Sequence, residues 1–331
     1  MKGYVITLGL ALYSASALCQ QMNIDTDNIT VSGLSSGGYM ANQFHIAHSD
    51  KVSGAAIVSA GPYYCARNDI TIALGACVDK SEPIPLQTFS KRAEEWAAQG
   101  KIAPLSNLSE DRVWLFHGTR DKRVAQTVTA SLYEQYQGWL TSGDIQYVKD
   151  KPFGHLLPTV NSGVSCDSSA APYIGDCDYD AAGKALSFLL GALKPPAKTL
   201  SGEVVSFNQK EIGGSNADTL AETGFAYVPE SCKTGEACQV HVSFHGCNQY
   251  ADEVGKAYVD NAGFNRWADS NNLVVIYPQT KKSLFMPLNP QGCWDWWGYT
   301  GADYATREGA QIQAVDAFIA SFAKTDKQDK S

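Results

Sequence analysis

The strongest local constraint in this chain is the segment Ile29-Thr30-Val31-Ser32-Gly33-Leu34-Ser35-Ser36-Gly37-Gly38. A β-branched run passes into a six-residue stretch that holds three glycines and two serines, and an apolar stretch from Tyr39 to Ala47 follows directly. β-Branched residues favour extended backbone, and closely spaced glycines permit a turn too tight for other side chains, so the pattern specifies strand, sharp turn, helix. The alternation continues downstream. Val52 to Ala60 reads as a buried strand, Leu86 to Ala98 as a helix, Val113 to Phe116 as a strand, Val124 to Leu140 as a helix, Ile145 to Val148 as a strand and Ala181 to Leu193 as a helix. Repeated βα units predict a mostly parallel central sheet flanked by helices.

Leu193-Lys194-Pro195-Pro196-Ala197-Lys198 ends the last of these helices, because two prolines cannot continue it. Beyond this linker, Glu203 to Phe207, Gly224 to Val228, Val240 to Phe244 and Leu273 to Tyr277 read as strands, with helices at Asp252 to Ala268 and Thr306 to Phe322. So few helices would leave a separate second sheet uncovered. One sheet shared by both parts is the expectation.

The N-terminus carries Lys2, an apolar run from Tyr4 to Tyr13 and the small residues Ala15-Ser16-Ala17. That order specifies a secretory signal peptide over residues 1–19, leaving 20–331 as a single catalytic domain. Nothing else in the sequence resembles a membrane span. Of nine cysteines, Cys19 departs with the leader, and the remaining eight can pair in about a hundred ways. Local spacing suggests Cys65 with Cys77, Cys166 with Cys177 and Cys232 with Cys238, leaving Cys247 and Cys293 as a long-range pair. The absence of a C-x-x-C motif argues against a metal site, so a secreted, extracellular protein is expected. With 26 Lys and Arg against 34 Asp and Glu, the net charge is -8, and the longest basic run is Lys281-Lys282. A nucleic-acid partner is therefore excluded, and a monomer is expected. Charged residues make up 18%, below the roughly 25% of ordinary soluble chains, while 7 Trp, 16 Tyr and 12 Phe leave aromatics for a ligand.

Gly33-Leu34-Ser35-Ser36-Gly37 matches G-x-S-x-G, the nucleophile elbow that exposes a serine hydroxyl on a strained turn. A bare match in a chain with 29 glycines is weak, but this one lies between strand and helix, as the elbow requires. In the order Ser, Asp, His, the acid follows a later strand and the histidine lies on the loop after the next one. Asp121 and His155 occupy those places. Asp150 shares the loop of His155 and is the poorer acid; His45 and His48 lie on the elbow helix, His241 lies inside a strand, and His117 is placed to support the site. The N–H of Ser36 supplies one oxyanion donor. The second normally comes from an HG loop upstream of the elbow, yet the matching turn, His245-Gly246-Cys247-Asn248, lies downstream after the strand Val240 to Phe244. A circular permutation with its joint near residues 194–202 accounts for that order. It also predicts a closing helix beside the N-terminal strand, with the apolar stripe Ile312, Ala314, Val315, Phe318, Ile319 and Phe322.

The motifs Gly33 to Met40, His117-Gly118-Thr119-Arg120-Asp121, Gly154-His155 with Pro158-Thr159, and His245-Gly246-Cys247 together resemble the single-domain, circularly permuted extracellular polyhydroxybutyrate depolymerases known from fungi. The resemblance spans nearly the whole mature chain. It implies an α/β-hydrolase fold and hydrolysis of poly(3-hydroxybutyrate) and its oligomers through an acyl-enzyme, without metal or cofactor. Ser35 would be the nucleophile, His155 the base, Asp121 its partner, and the N–H groups of Ser36 and Cys247 the oxyanion hole. A Cys247–Cys293 disulfide would hold Cys293-Trp294-Asp295-Trp296-Trp297-Gly298-Tyr299 beside that hole. Trp294, Trp296, Trp297, Tyr299 and Tyr39 are thus candidates for substrate contact, with Tyr63 and Tyr64 weaker ones. The rival readings are another secreted carboxylesterase, of feruloyl or acetyl-xylan type, and a non-catalytic polymer-binding module.

Overall fold

The computed structural model describes residues 21–79, 83–141 and 144–324, so the leader expected over residues 1–19 lies outside the described residues. The strands are β1 (Ile24–Leu34), β2 (Val52–Val58), β3 (Arg112–Phe116), β4 (Ile145–Val148), β5 (Leu157–Thr159), β6 (Val164–Ser165), β7 (Ile174–Asp176), β8 (Glu203–Asn208), β9 (Thr223–Val228), β10 (Cys238–Phe244) and β11 (Leu273–Tyr277). Eight of them form one sheet in the order β4-β3-β2-β1-β10-β11-β9-β8. β1 pairs in parallel with β2 on one side and β10 on the other, with Leu34 opposite Val58 and Gly33 opposite Phe244. Strands from before and after Pro195-Pro196 therefore fill separate halves of one sheet, which meet at the β1–β10 pair. The sheet is mostly parallel, as expected, and the antiparallel β9 and β8 complete one edge.

Successive side chains of a strand face opposite sides, and here each side has its own core. Val31, Ile57, Val113, Leu115 and Ile276 pack into one; Leu34, Ala56, Val58, Trp114, Phe116 and Val275 pack into the other. The first is covered by the helices Ser36–Ala47, Leu86–Ala98 and Ala310–Phe322, through Phe44, Phe89 and Phe318. The second is covered by Ala181–Leu190 and Phe264–Ser270, through Leu186 and Phe264. Burial on both faces explains the near-continuous apolar strands. His241 is a buried polar residue of β10: its ring nitrogens lie 2.8 Å from the Thr30 hydroxyl and 2.7 Å from that of Ser32, and burial lowers its pKa to about 3.

Several helices are shorter than the sequence pattern suggests. Gly255 (φ 60°) and Gly263 (φ 93°) take left-handed backbone and break the expected helix Asp252 to Ala268 into Ala251–Val254, Ala257–Asn261 and Phe264–Ser270. The expected helices at 124–140, 181–193 and 306–322 run over Gln126–Gln137, Ala181–Leu190 and Ala310–Phe322, bounded by Gly138, Gly191 and Gly309. A small sheet of order β5-β7-β6, which the sequence did not announce, follows β4. The closing helix meets the N-terminal segment where the Met22 N–H donates to the Phe322 carbonyl at 2.8 Å. Cys65–Cys77, Cys166–Cys177, Cys232–Cys238 and Cys247–Cys293 are all bonded. Among the described residues, no helix is long and apolar enough to cross a membrane.

Candidate active site

The carboxyl ends of the parallel strands converge at one crevice, the usual place for a ligand in an open α/β sheet. At the end of β1, Ser35 takes φ 58° and ψ -121°, a strained conformation for a residue with a side chain, and its N–H donates to the Val58 carbonyl at 2.9 Å. A Cβ on Gly37 would lie 2.2 Å from the Phe244 oxygen and 2.3 Å from the His245 oxygen. Glycine there lets the start of the elbow helix press against the end of β10. This contact sets Ser36, whose helix-initial N–H has no partner within the helix, beside the turn after β10.

That turn is held from within. His245 is fully buried, and its Nδ1 lies 2.7 Å from the Gly246 carbonyl oxygen. A carbonyl only accepts, so Nδ1 carries the proton; Nε2 accepts from the Thr280 N–H at 3.2 Å. Burial lowers the His245 pKa to about 4, which keeps the ring neutral. A trans peptide is planar, so anchoring the Gly246 carbonyl on one side turns the Cys247 N–H to the other. The Gly246 N–H donates to Gln249 Oε1 at 2.7 Å, the Asn248 N–H donates to the Gln291 carbonyl at 2.7 Å, and Cys247 is tied to Cys293.

On the opposite side, the loops after β3 and β4 are laced together: the N–H groups of Thr119 and Arg120 donate to the carbonyls of Lys151 and Phe153 at 2.7 and 3.0 Å. The His155 N–H donates to Ser169 Oγ at 2.9 Å, and the Gly154 N–H to the Cys166 carbonyl at 2.8 Å, so the unannounced small sheet and its disulfide hold the histidine loop. His155 Nδ1 lies 2.7 Å from Asp121 Oδ2. Asp121 Oδ1 accepts the N–H groups of Arg123 and Val124 at 2.8 and 3.0 Å. Burial alone would raise the Asp121 pKa, but the His155 hydrogen bond and the charges His155 and His117 can carry outweigh it and hold the carboxyl at about 2. His117 stands 3.7 Å from the same carboxylate, with Nδ1 against Thr129 and Nε2 donating to the Val124 carbonyl at 3.1 Å; burial lowers its pKa.

Ser35, Ser36, His155 and Cys247 line a single cavity of about 770 Å³. Of the expected contact residues, Tyr39, Trp296, Trp297 and Tyr299 are on its wall, with Trp296 stacked on Tyr39 at 4.5 Å between ring centroids. Trp294 is not. It is fully buried 5.0 Å from the Phe244 ring and 5.6 Å from the His245 ring, against the His245-Gly246 turn, so the expectation that it contacts substrate is corrected to a core role. Tyr63 and Tyr64 are also off the wall, Tyr63 donating to the Ala305 carbonyl and Tyr64 packing on Trp96. The buried Asp295 carboxylate accepts the N–H groups of Gly298, Tyr299 and Thr300 and the Thr300 hydroxyl, which fixes the aromatic loop. Residues that sequence reasoning missed complete the wall: Ile70, Leu74, Val78, Arg123 and the stretch Met286 to Gln291. They sit on loops or a single short helix, where no period marks them. At the rim, Phe285 and Met286 are 84% and 89% exposed.

Residues 12–170, the stretch that carries the elbow, Asp121 and His155, match the prolyl oligopeptidase family. The chain is 39% identical over 316 residues to a poly(3-hydroxybutyrate) depolymerase from Delftia acidovorans, covering 94% of this chain and 63% of that protein, so it spans less than two thirds of that relative's length. It is 35% identical over 326 residues to a polyhydroxybutyrate depolymerase from Talaromyces funiculosus, covering 94% of both. The crystal structure of the PHB depolymerase from Penicillium funiculosum superposes with a TM-score of 0.86 at 33% identity, covering 92% of this chain and 98% of that one. A serine-to-alanine variant of a PHB depolymerase complexed with an R3HB trimer gives 0.85 at the same identity and coverage. Shared nearly end to end with the Talaromyces protein in sequence and with the Penicillium protein in fold, this architecture shows that the chain belongs to the polyhydroxybutyrate depolymerase family.

Proposed function

We propose that the protein is a secreted serine esterase that hydrolyses poly(3-hydroxybutyrate) and its oligomers. The observation that carries this reading is the shared cavity, where Ser35, Ser36, His155 and Cys247 face one space and Asp121 is hydrogen-bonded behind His155. Ser35 Oγ attacks the ester carbonyl while His155 takes its proton, and Asp121 holds the Nδ1-protonated tautomer and steadies the imidazolium. The N–H groups of Ser36 and Cys247 receive the charge that develops on the carbonyl oxygen. His155 then gives the proton to the departing alcohol, and water repeats the sequence to free the acid from Ser35. This chemistry needs no metal or cofactor.

A polyester substrate is supported by the predominantly apolar and aromatic wall, by the exposed apolar rim at Leu284 to Leu288, and by the R3HB trimer in the related complex. We also propose export by a leader over residues 1–19, a single monomeric catalytic domain over 20–331, and a circular permutation. The permutation is supported by the parallel pairing of the elbow strand β1 with the late strand β10 and by an oxyanion turn that follows the elbow in the chain. The deciding experiment incubates the mature protein with amorphous poly(3-hydroxybutyrate) and identifies the soluble products by mass. Hydroxybutyrate monomer or oligomers are expected, and none with Ser35→Ala. If only simple esters are cleaved, the protein is a carboxylesterase of feruloyl or acetyl-xylan type. If no ester is cleaved and no organophosphate labels Ser35, it is a polymer-binding module.

A further inference from the structure

We infer that Arg123 forms a subsite for the free carboxylate at the end of a polyester chain, and that the enzyme removes single hydroxyacid units from that end; this rests on the polyester reading above. Among the described residues that line the cavity, Arg123 alone carries a permanent charge. Arg120, three residues earlier, is paired with Asp167 at 3.3 Å, whereas no ion pair among the described residues takes up Arg123. The Ala125 N–H donates to the Val78 carbonyl at 2.7 Å, which ties the segment after Arg123 to the one that brings Leu74 and Val78 to the same cavity. Arg123 is exposed, so an anion entering the cavity can reach its guanidinium. On a molecule of net charge -8, it is a local exception to a field that repels anions.

Its side of the cavity matters as much as its charge. One oxygen of Asp121 accepts the Arg123 N–H and the other is bonded to His155, so Arg123 lies on the imidazole side of the serine. The imidazole protonates the departing alcohol, so the departing fragment occupies that side too. When the last ester of a hydroxyacid chain is cleaved, this fragment is one unit, with a hydroxyl at the scissile end and a carboxylate at the other. The acyl–oxygen bond to that unit breaks as the acyl bond to Ser35 Oγ forms. The serine proton passes through His155 to the departing oxygen, and the fragment leaves with its carboxylate charge unchanged. A guanidinium recognises a carboxylate through two parallel N–H donors.

The test compares kcat/KM for the trimer of 3-hydroxybutyrate as free acid and as methyl ester, in the wild type and in Arg123→Gln. The wild type is expected to prefer the acid several-fold through a lower KM, with monomer as the first product. High salt should shrink the preference, and Arg123→Gln should abolish it. Equal use of acid and methyl ester by the wild type, or a preference that survives in Arg123→Gln, overturns the subsite. If neither trimer is hydrolysed, the polyester reading itself fails.

Discussion

His155 and Asp121 are joined at 2.7 Å, and the remaining oxygen of the same carboxylate is taken up by the backbone of Arg123 and Val124. The acid therefore cannot rotate away from the imidazole without breaking two further hydrogen bonds. Asp121→Asn keeps the shape but offers Nδ1 an amide that can present its own N–H, which favours the wrong tautomer. We expect kcat to fall about 10⁴-fold with KM nearly unchanged, measured on a soluble p-nitrophenyl ester. A loss of less than tenfold would remove Asp121 from the relay.

The peptide between Gly246 and Cys247 owes its orientation to the His245 Nδ1–H. His245→Leu fills the space without that donor and frees the carbonyl, so the Cys247 N–H loses its aim. The expected effect is a drop in kcat on the order of 10²-fold, comparable to removing one oxyanion donor. If KM rises while kcat holds, the residue is only a support for the cavity wall.

Acid should destabilise the fold well before its carboxylates titrate. His241 and His245 have pKa values of about 3 and about 4 in the folded protein, below their ordinary 6.5, so the unfolded chain binds protons that the native state refuses. Their contribution is complete above pH 6.5 and is lost as pH falls toward 3. Each histidine accounts for about 2 kcal/mol between pH 7 and pH 5. Asp121, held near 2 instead of 3.8, extends the loss to lower pH. A urea midpoint that does not move between pH 7 and pH 5 contradicts this.

Asp295 supports the aromatic wall without reaching the substrate. Asp295→Ala strands three backbone N–H groups and the Thr300 hydroxyl, at about 1–3 kcal/mol for each group left buried. Loosening of the loop should raise KM for hydroxybutyrate oligomers more than for a short p-nitrophenyl ester. Asp295→Asn, which keeps one acceptor oxygen, should be milder on both counts. Equal effects on the two substrates would confine Asp295 to a stability role.

Phe285 stands at the rim, outside the cavity wall and largely in solvent. Phe285→Ser should reduce adsorption to a polyester film and the rate of film hydrolysis, with a smaller effect on soluble esters. Depletion of protein from solution over film measures the first directly, and undiminished depletion refutes the role.

Much of this site is readable from local sequence. Ser35 lies in a turn whose glycines mark it, Asp121 closes a strand of unbroken apolar residues, and the His245-Gly246 turn follows another such strand. What escaped notice lacks period or depends on distant partners. Strands of two or three residues, such as β5 to β7, are too short to show alternation, so the sheet that holds His155 was invisible. Trp294 and Trp296 are chemically alike and two residues apart. Only the position of Phe244 and His245, about fifty residues upstream, decides that one ring is core and the other is wall. Arg123 gave no signal as one arginine among the charges of a surface loop.

Ser35 and the His245-Gly246 turn follow neighbouring strands, yet the register that pairs Gly33 with Phe244 spans 211 positions, from Ser32 to Ser243 by the same count. Such distant pairing forms slowly and only after most of the chain is available. During synthesis, Ser35 emerges long before the turn that we propose makes it reactive. On the proposed mechanism, a nascent or partly folded chain is thus an unarmed one, competent for hydrolysis only as its last strands enter the sheet.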